Sequence, residues 1–307
     1  MKKLLGLVAV LMLALTLAAC GDKDSKDEGG SNDNGGDTPD KLVMGFVPSQ
    51  DSENIASTVE PLSDHLSEEL GIEVEGKVMT NYNALVEALG ANQVQIAFIP
   101  AFGYVLASEQ YDVNVILKSM REGSGTYKAQ YVVREDSGID SLEDFEGKVW
   151  AFSDKGSTSG YLFPAKHLME ELDFSSASEL ENDFFDSLIE VGGHDTAALA
   201  VLEGDADVAT TFDDVRDTLE EDYPSIKDDL KVVDYTIDIP NDTITVPDGL
   251  DADLVDKIRE AFLSINDDEE MIEIMNEVYN WDGIEEAEDS EYEIVRDTYH
   301  EFRDLID

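Results

Sequence analysis

From residue 41 onward, short apolar runs alternate with longer amphipathic stretches. Leu42–Val47, Val74–Met79 and Val94–Ile99 each read as a buried strand bounded by turn residues, Pro48-Ser49-Gln50-Asp51 after the first and Pro100 after the third. Between them, Ile55–Leu70 and Tyr82–Leu89 carry apolar residues at helical spacing, the former closed by Gly71 as a C-cap. A helix over 102–109 then leads to strands at 113–117 and 128–133. The pattern restarts with a capped turn at 141–145, a strand at 148–152, a helix over 165–172, a strand at 189–191, a helix over 196–203 and a strand within 204–211. A return strand at 232–239 precedes a mostly helical, very acidic remainder.

Strands alternating with helices predict an α/β sandwich with a largely parallel sheet, and two such halves predict two lobes. The expected division is 41–128 with 235–307 as the first lobe and 129–234 as the second, linked by extended segments near 128–134 and 232–240. Ligands of α/β sheets sit beyond the carboxyl ends of strands, so the site belongs in the cleft between lobes.

The N-terminal end gives the address. Lys2 and Lys3 precede an apolar run to Ala19, which predicts a signal peptide over 1–19. Leu17-Ala18-Ala19-Cys20-Gly21 is similar to a bacterial lipobox, in which Cys20, the single cysteine, takes the lipid. Residues 20–40 have almost no apolar content and predict a flexible tether, so the protein is expected on the extracytoplasmic face of the membrane. Asp plus Glu number 71 against 20 Lys plus Arg, a formal net charge of −51, which excludes nucleic-acid binding. The acids interleave with apolar residues at helical spacing, as in 254–263, and so coat solvated helix faces, an arrangement suited to a saline or alkaline habitat.

The chemistry concentrates in Gly156-Ser157-Thr158-Ser159-Gly160, between the strand at 148–152 and the following helix. Unpaired N–H groups at a helix start suit an oxyanion, and the three hydroxyls can add donors, although an ordinary N-cap explains a single one. His194 follows two glycines at another helix start, and Tyr82 and Tyr127 stand beside predicted strand ends, where a phenol suits a cleft. Asp213, Asp214 and Asp242 lie in loops at strand ends, where helix-start charge or turn formation competes with a ligand role. The scarcity of basic residues fits a site that neutralises charge with dipoles and neutral donors. Four dispersed histidines give no metal spacing, and no cofactor fingerprint appears. Position 158 holds Thr where a hydrolase elbow needs Ser, so no catalytic residue is assigned.

Several motifs, in order over 41–285, resemble the phosphonate/phosphite/phosphate-binding lipoproteins of ABC importers. They are Asn81–Leu85, Gln95–Pro100, Asp154–Pro164, Gly193–Val201, Gly204–Ala209 and Ile239–Asp242. The resemblance implies a two-lobe, type II periplasmic-binding-protein-like fold hinged by two crossing strands. It implies a monomer that captures a small phosphorus oxyanion and hands it to a membrane permease. It further implies that Ser157, Thr158 and Ser159 hold the phosphonyl oxygens, and that His194, Tyr82 and Tyr127 add hydrogen bonds. An acid at 213 or 214, with Asp242, is implied to meet the rest of the ligand or its protonated oxygen. Phe212-Asp213-Asp214 departs from the Asn-Thr-Glu of aminoalkylphosphonate binders, which leaves the choice of acid and of organic substituent open. The alternatives are a binding lipoprotein for another anion or organic solute, in transport or sensing, and a hydrolase built on the Ser/His/Asp residues.

Overall fold

The computed structural model describes residues 39–50 and 52–304. The predicted signal peptide, Cys20 and nearly all of the predicted tether lie outside them. Thirteen strands run through the described chain: β1 Lys41–Phe46, β2 Glu73–Val78, β3 Ile96–Ile99, β4 Val113–Met120, β5 Thr126–Tyr127, β6 Ala129–Arg134, β7 Val149–Phe152, β8 Ser187–Glu190, β9 Val208–Phe212, β10 Leu230–Tyr235, β11 Ile239–Pro240, β12 Thr243–Pro247 and β13 Gly283–Glu286.

They form two sheets and a short ladder. The first sheet has the order β13-β4-β12-β3-β1-β2, and the second β10-β6-β9-β7-β8. Both are mixed rather than largely parallel. β1 lies parallel to β2 and β3, but β12 inserts antiparallel between β3 and β4. In the second sheet β7, β8 and β9 are parallel, whereas β6 runs antiparallel to β9 and β10 antiparallel to β6. The result is a two-domain α/β fold of the type II periplasmic-binding-protein kind, without a closed barrel.

The hinge is shorter than the extended segments predicted for it. Residues 129–134 and 230–235 pair with each other inside the second sheet, and the crossing is made by β5 and β11, which pair Tyr127 with Ile239 and Thr126 with Pro240. A proline suits this ladder, since it lacks the N–H that a wider sheet would demand.

Each domain has an aromatic centre. Phe98 of β3 stacks on Phe46 at 4.4 Å and on Trp281 at 5.3 Å, and meets the edge of Phe262 at 5.6 Å. Trp150 of β7 packs on Phe185 at 5.0 Å and Tyr161 at 5.6 Å, while its indole N–H donates to Thr210 Oγ1 at 2.9 Å. Burying a side chain of this size stabilises by about 1.5–3 kcal/mol. The helix Ala252–Ser264 shows the logic of the acidic coat: Leu254, Ile258, Ala261 and Phe262 are buried, Asp251 caps its start, and the acids point outward.

Candidate functional site

The carboxyl ends of β1, β3, β7 and β9 and the loops after β2 and β8 converge between the domains, as α/β topology requires. They enclose a cavity of about 20 Å³. From the first domain and the hinge come Ser49, Gln50, Tyr82, Pro100, Arg121, Tyr127, Asp242 and Tyr279; from the second come Ser157, Ser159, His194 and Phe212.

The hydroxyl loop is built by a wide helical turn. Thr158–Leu162 makes i→i−5 bonds, with Leu162 N–H on Ser157 O at 3.1 Å and Phe163 N–H on Thr158 O, before the regular helix Phe163–Glu171. The helical segment therefore starts earlier than the predicted 165. Pro164 sits in the first turn of that helix, where its missing N–H is harmless. Ser157 Oγ accepts the Gly160 N–H at 3.0 Å. A Cβ on Gly160 would lie 2.3 Å from Ser153 Oγ and 2.9 Å from Ser157 Oγ, so the glycine lets both hydroxyls keep their places.

His194 is buried, with Nε2 3.3 Å from Ser153 Oγ and 3.2 Å from Ser157 Oγ, and its ring 4.8 Å from that of Phe212. Burial, helped by the nearby Arg121 charge, pushes its pKa down to about 3, so the imidazole is neutral. Its Nδ1 is buried without a hydrogen-bond partner, and the Tyr82 hydroxyl, though close to Ser153 and Ser157, makes no well-formed bond to either. Such orphaned groups cost about 1–3 kcal/mol each. Among the described residues no carboxylate hydrogen-bonds His194 Nδ1. Tyr127 donates to Ser159 Oγ at 3.1 Å, and burial raises the pKa of both tyrosines. Asp242 faces the cavity with no hydrogen bond to its carboxylate among the described residues. Burial lifts its pKa to about 6, against the opposing charge of Arg121.

Three anticipated residues stand outside the cavity wall. Thr158 Oγ1 accepts the Phe102 N–H at 3.0 Å. Asp213 accepts the Lys128 N–H at 3.0 Å, its pKa raised by burial. Asp214 pairs with Arg121 and accepts from Asn280 Nδ2 at 3.2 Å. Conversely, the cation Arg121 lines the cavity, which the expectation of purely neutral donors had missed. Its place between Met120 and the polar Glu122-Gly123-Ser124-Gly125 turn reads as exposed; Tyr127, Phe212 and Asp214, distant in sequence or across the cleft, surround it. No group of residues able to hold a metal occurs among the described residues.

The family profile described as ABC transporter, phosphonate, periplasmic substrate-binding protein matches residues 44–292. The phosphate-import protein PhnD of Mycolicibacterium smegmatis is 30% identical over 260 residues, spanning 83% of this chain and 79% of that protein. The phosphonates-binding periplasmic protein of Escherichia coli is 26% identical over 228 residues, spanning 73% and 65%. Among solved structures, a binding protein component of an ABC phosphonate transporter from Pseudomonas aeruginosa superposes with a TM-score of 0.77 at 22% identity, covering 86% of each chain. PhnD1 of Prochlorococcus marinus, in complex with methylphosphonate, superposes with a TM-score of 0.75 at 19% identity, covering 87% and 99%. These two likenesses concern the fold.

Proposed function

The chain belongs to the phosphonate family of ABC-transporter periplasmic substrate-binding proteins, a non-catalytic family acting outside the cytoplasm, and from that premise we propose that it captures phosphonate, phosphite or phosphate in the interdomain cavity. The observation that carries this reading is the pair of orphaned groups on the cavity wall, Tyr82 Oη and His194 Nδ1. A ligand with several oxygens gives both a partner and relieves their desolvation. Ser157, Ser159 and Tyr127 add hydroxyls to the same space.

Asp242 narrows the ligand class. A carboxylate beside an anion is tolerated when one proton is shared between them, so the ligand is an oxyanion that protonates near neutral pH. At about 20 Å³ the cavity holds little more than one water, so the domains must part to admit even a compact anion, of the size of the phosphate that one relative imports or the methylphosphonate that a structural neighbour holds. In this reading 41–128 with 235–307 and 129–234 move as the two jaws, Cys20 carries a lipid anchor, and the monomer delivers its ligand to the permease.

Calorimetric titration with phosphite, methylphosphonate, phosphate, an aminoalkylphosphonate and sulfate tests the assignment. At least one phosphorus anion should bind with micromolar or tighter affinity, about −8 kcal/mol, and sulfate ~10³-fold more weakly. Equal binding of sulfate, which stays unprotonated, overturns it.

A further inference from the structure

The proposed ligand contacts leave unused the one cationic side chain of the cavity wall. Arg121 follows β4 at the start of the turn that leads into the hinge, and is only 8% exposed. Burying a guanidinium is costly unless it is paired, so its surroundings define what it is for. Its central carbon lies 5.3 Å from the Tyr127 ring centroid and 4.8 Å from that of Phe212, so two aromatic faces fix its plane. Nη2 donates to Asp214 Oδ1, and the other Asp214 oxygen is held by Asn280. Nη2 gives one of its two hydrogens to Asp214; its second hydrogen and those on Nε and Nη1 donate to nothing among the described residues, which leaves one two-donor edge of the guanidinium whole. Arg121 and Tyr127 also border a second, open groove of about 410 Å³ that carries Glu122, Asp213 and Asp217. The guanidinium thus stands between an acidic groove and the interdomain cavity.

We propose that Arg121 is the anion-binding cation of this site, presenting its free guanidinium edge to the ligand, with Asp214 as the positioning residue that holds that edge in place. The inference rests on the oxyanion reading above and refines it. A planar fork of donors matches two oxygens of one tetrahedral anion, which a point charge such as lysine does not. It also offsets Asp242: without Arg121, an anion sealed in the cavity meets a carboxylate and neutral groups only. The ligand class is thereby restricted to anions with at least two unprotonated oxygens on one face, as in phosphite, phosphonates and phosphate.

The test is calorimetry on the whole chain with phosphite, methylphosphonate and phosphate at neutral pH, using Arg121→Met, Arg121→Lys and the double variant Arg121→Gln with Asp214→Asn. Arg121→Met should lose about 10- to 100-fold in affinity for whichever anion binds wild type. Arg121→Lys keeps the charge without the fork and should lose less. The double variant removes both partners of the Arg121–Asp214 pair together, so it should stay closer to the wild-type melting temperature than Arg121→Met does, and still lose as much affinity. A folded double variant that binds within about threefold of wild type overturns the inference, and if it does not fold, Arg121→Lys binding as tightly as wild type does so. Wild type binding none of these three nor an aminoalkylphosphonate sinks the oxyanion reading and this inference with it; binding by wild type and the double variant alike sinks this inference alone.

Discussion

Thr158 caps a helix that is not its own. The helix Ala101–Gln110 starts after Pro100, which has no side-chain oxygen to offer, and the Phe102 N–H is taken instead by Thr158 Oγ1 from the opposite domain at 3.0 Å. The His194 N–H likewise crosses to the Ser49 carbonyl at 2.9 Å. These bonds exist only when the domains are together, so they favour closure.

Thr158→Val therefore shifts the ligand-free protein toward open forms, at a cost of about 1 kcal/mol to the closed state. Small-angle scattering should give a larger radius of gyration for the ligand-free variant than for ligand-free wild type, and the same value once both are saturated with ligand. Identical ligand-free radii would count against the capping role.

Ser157→Ala acts on the ligand itself. Removing a hydroxyl that lines the cavity and meets His194 Nε2 should weaken phosphorus-anion binding by about 1.5–3 kcal/mol, roughly ten- to a hundredfold. Thr158→Val should cost less, since its hydroxyl stands outside the wall. Titration of both variants decides the order.

Asp242, if it meets the ligand as proposed, should make binding proton-linked. With a pKa of about 6 the free carboxylate is ionised at pH 8, as is a phosphonate dianion, and the complex must take up close to one proton. Affinity should then fall by up to about tenfold for each pH unit above 8. Calorimetry in buffers of different ionisation heat reads the uptake directly. Asp242→Asn should abolish it; an unchanged proton count in that variant would remove Asp242 from the site.

The acidic coat makes stability salt-dependent. With a net charge of −51 and a Debye length that shrinks from ~10 Å at 0.1 M to ~3 Å at 1 M salt, self-repulsion weakens as salt rises. The melting temperature should climb between dilute buffer and molar NaCl. A flat profile would mean that the surface ion pairs already balance the repulsion.

What the sequence made legible was the periodic part. Strands such as Ile96–Ile99 and helices such as Tyr82–Gly90 follow from short apolar runs and 3.6-residue spacing, and the hydroxyl loop and His194 declared themselves by falling at helix starts. β12 did not, because Thr243-Ile244-Thr245-Val246-Pro247 alternates like an exposed strand while every residue of it is buried. Its threonines are satisfied inside the sheet, Thr243 donating to the Ile99 carbonyl at 3.1 Å and meeting Thr245 Oγ1 at 2.8 Å. β13 hid in an acidic stretch, where Gly283–Glu286 pairs with β4 only through tertiary contact. Arg121 and Asp214 needed the same long-range information, since 93 residues separate the two halves of one ion pair.

The crowding around Gly160 also bears on how such a protein diverges. Any side chain there would press on the Ser153 and Ser157 hydroxyls and disturb the contacts both make with His194 Nε2. On the proposed site, a change of solute is then expected through the facing side of the cleft, at Tyr82, Asp242 or Arg121, rather than through this glycine.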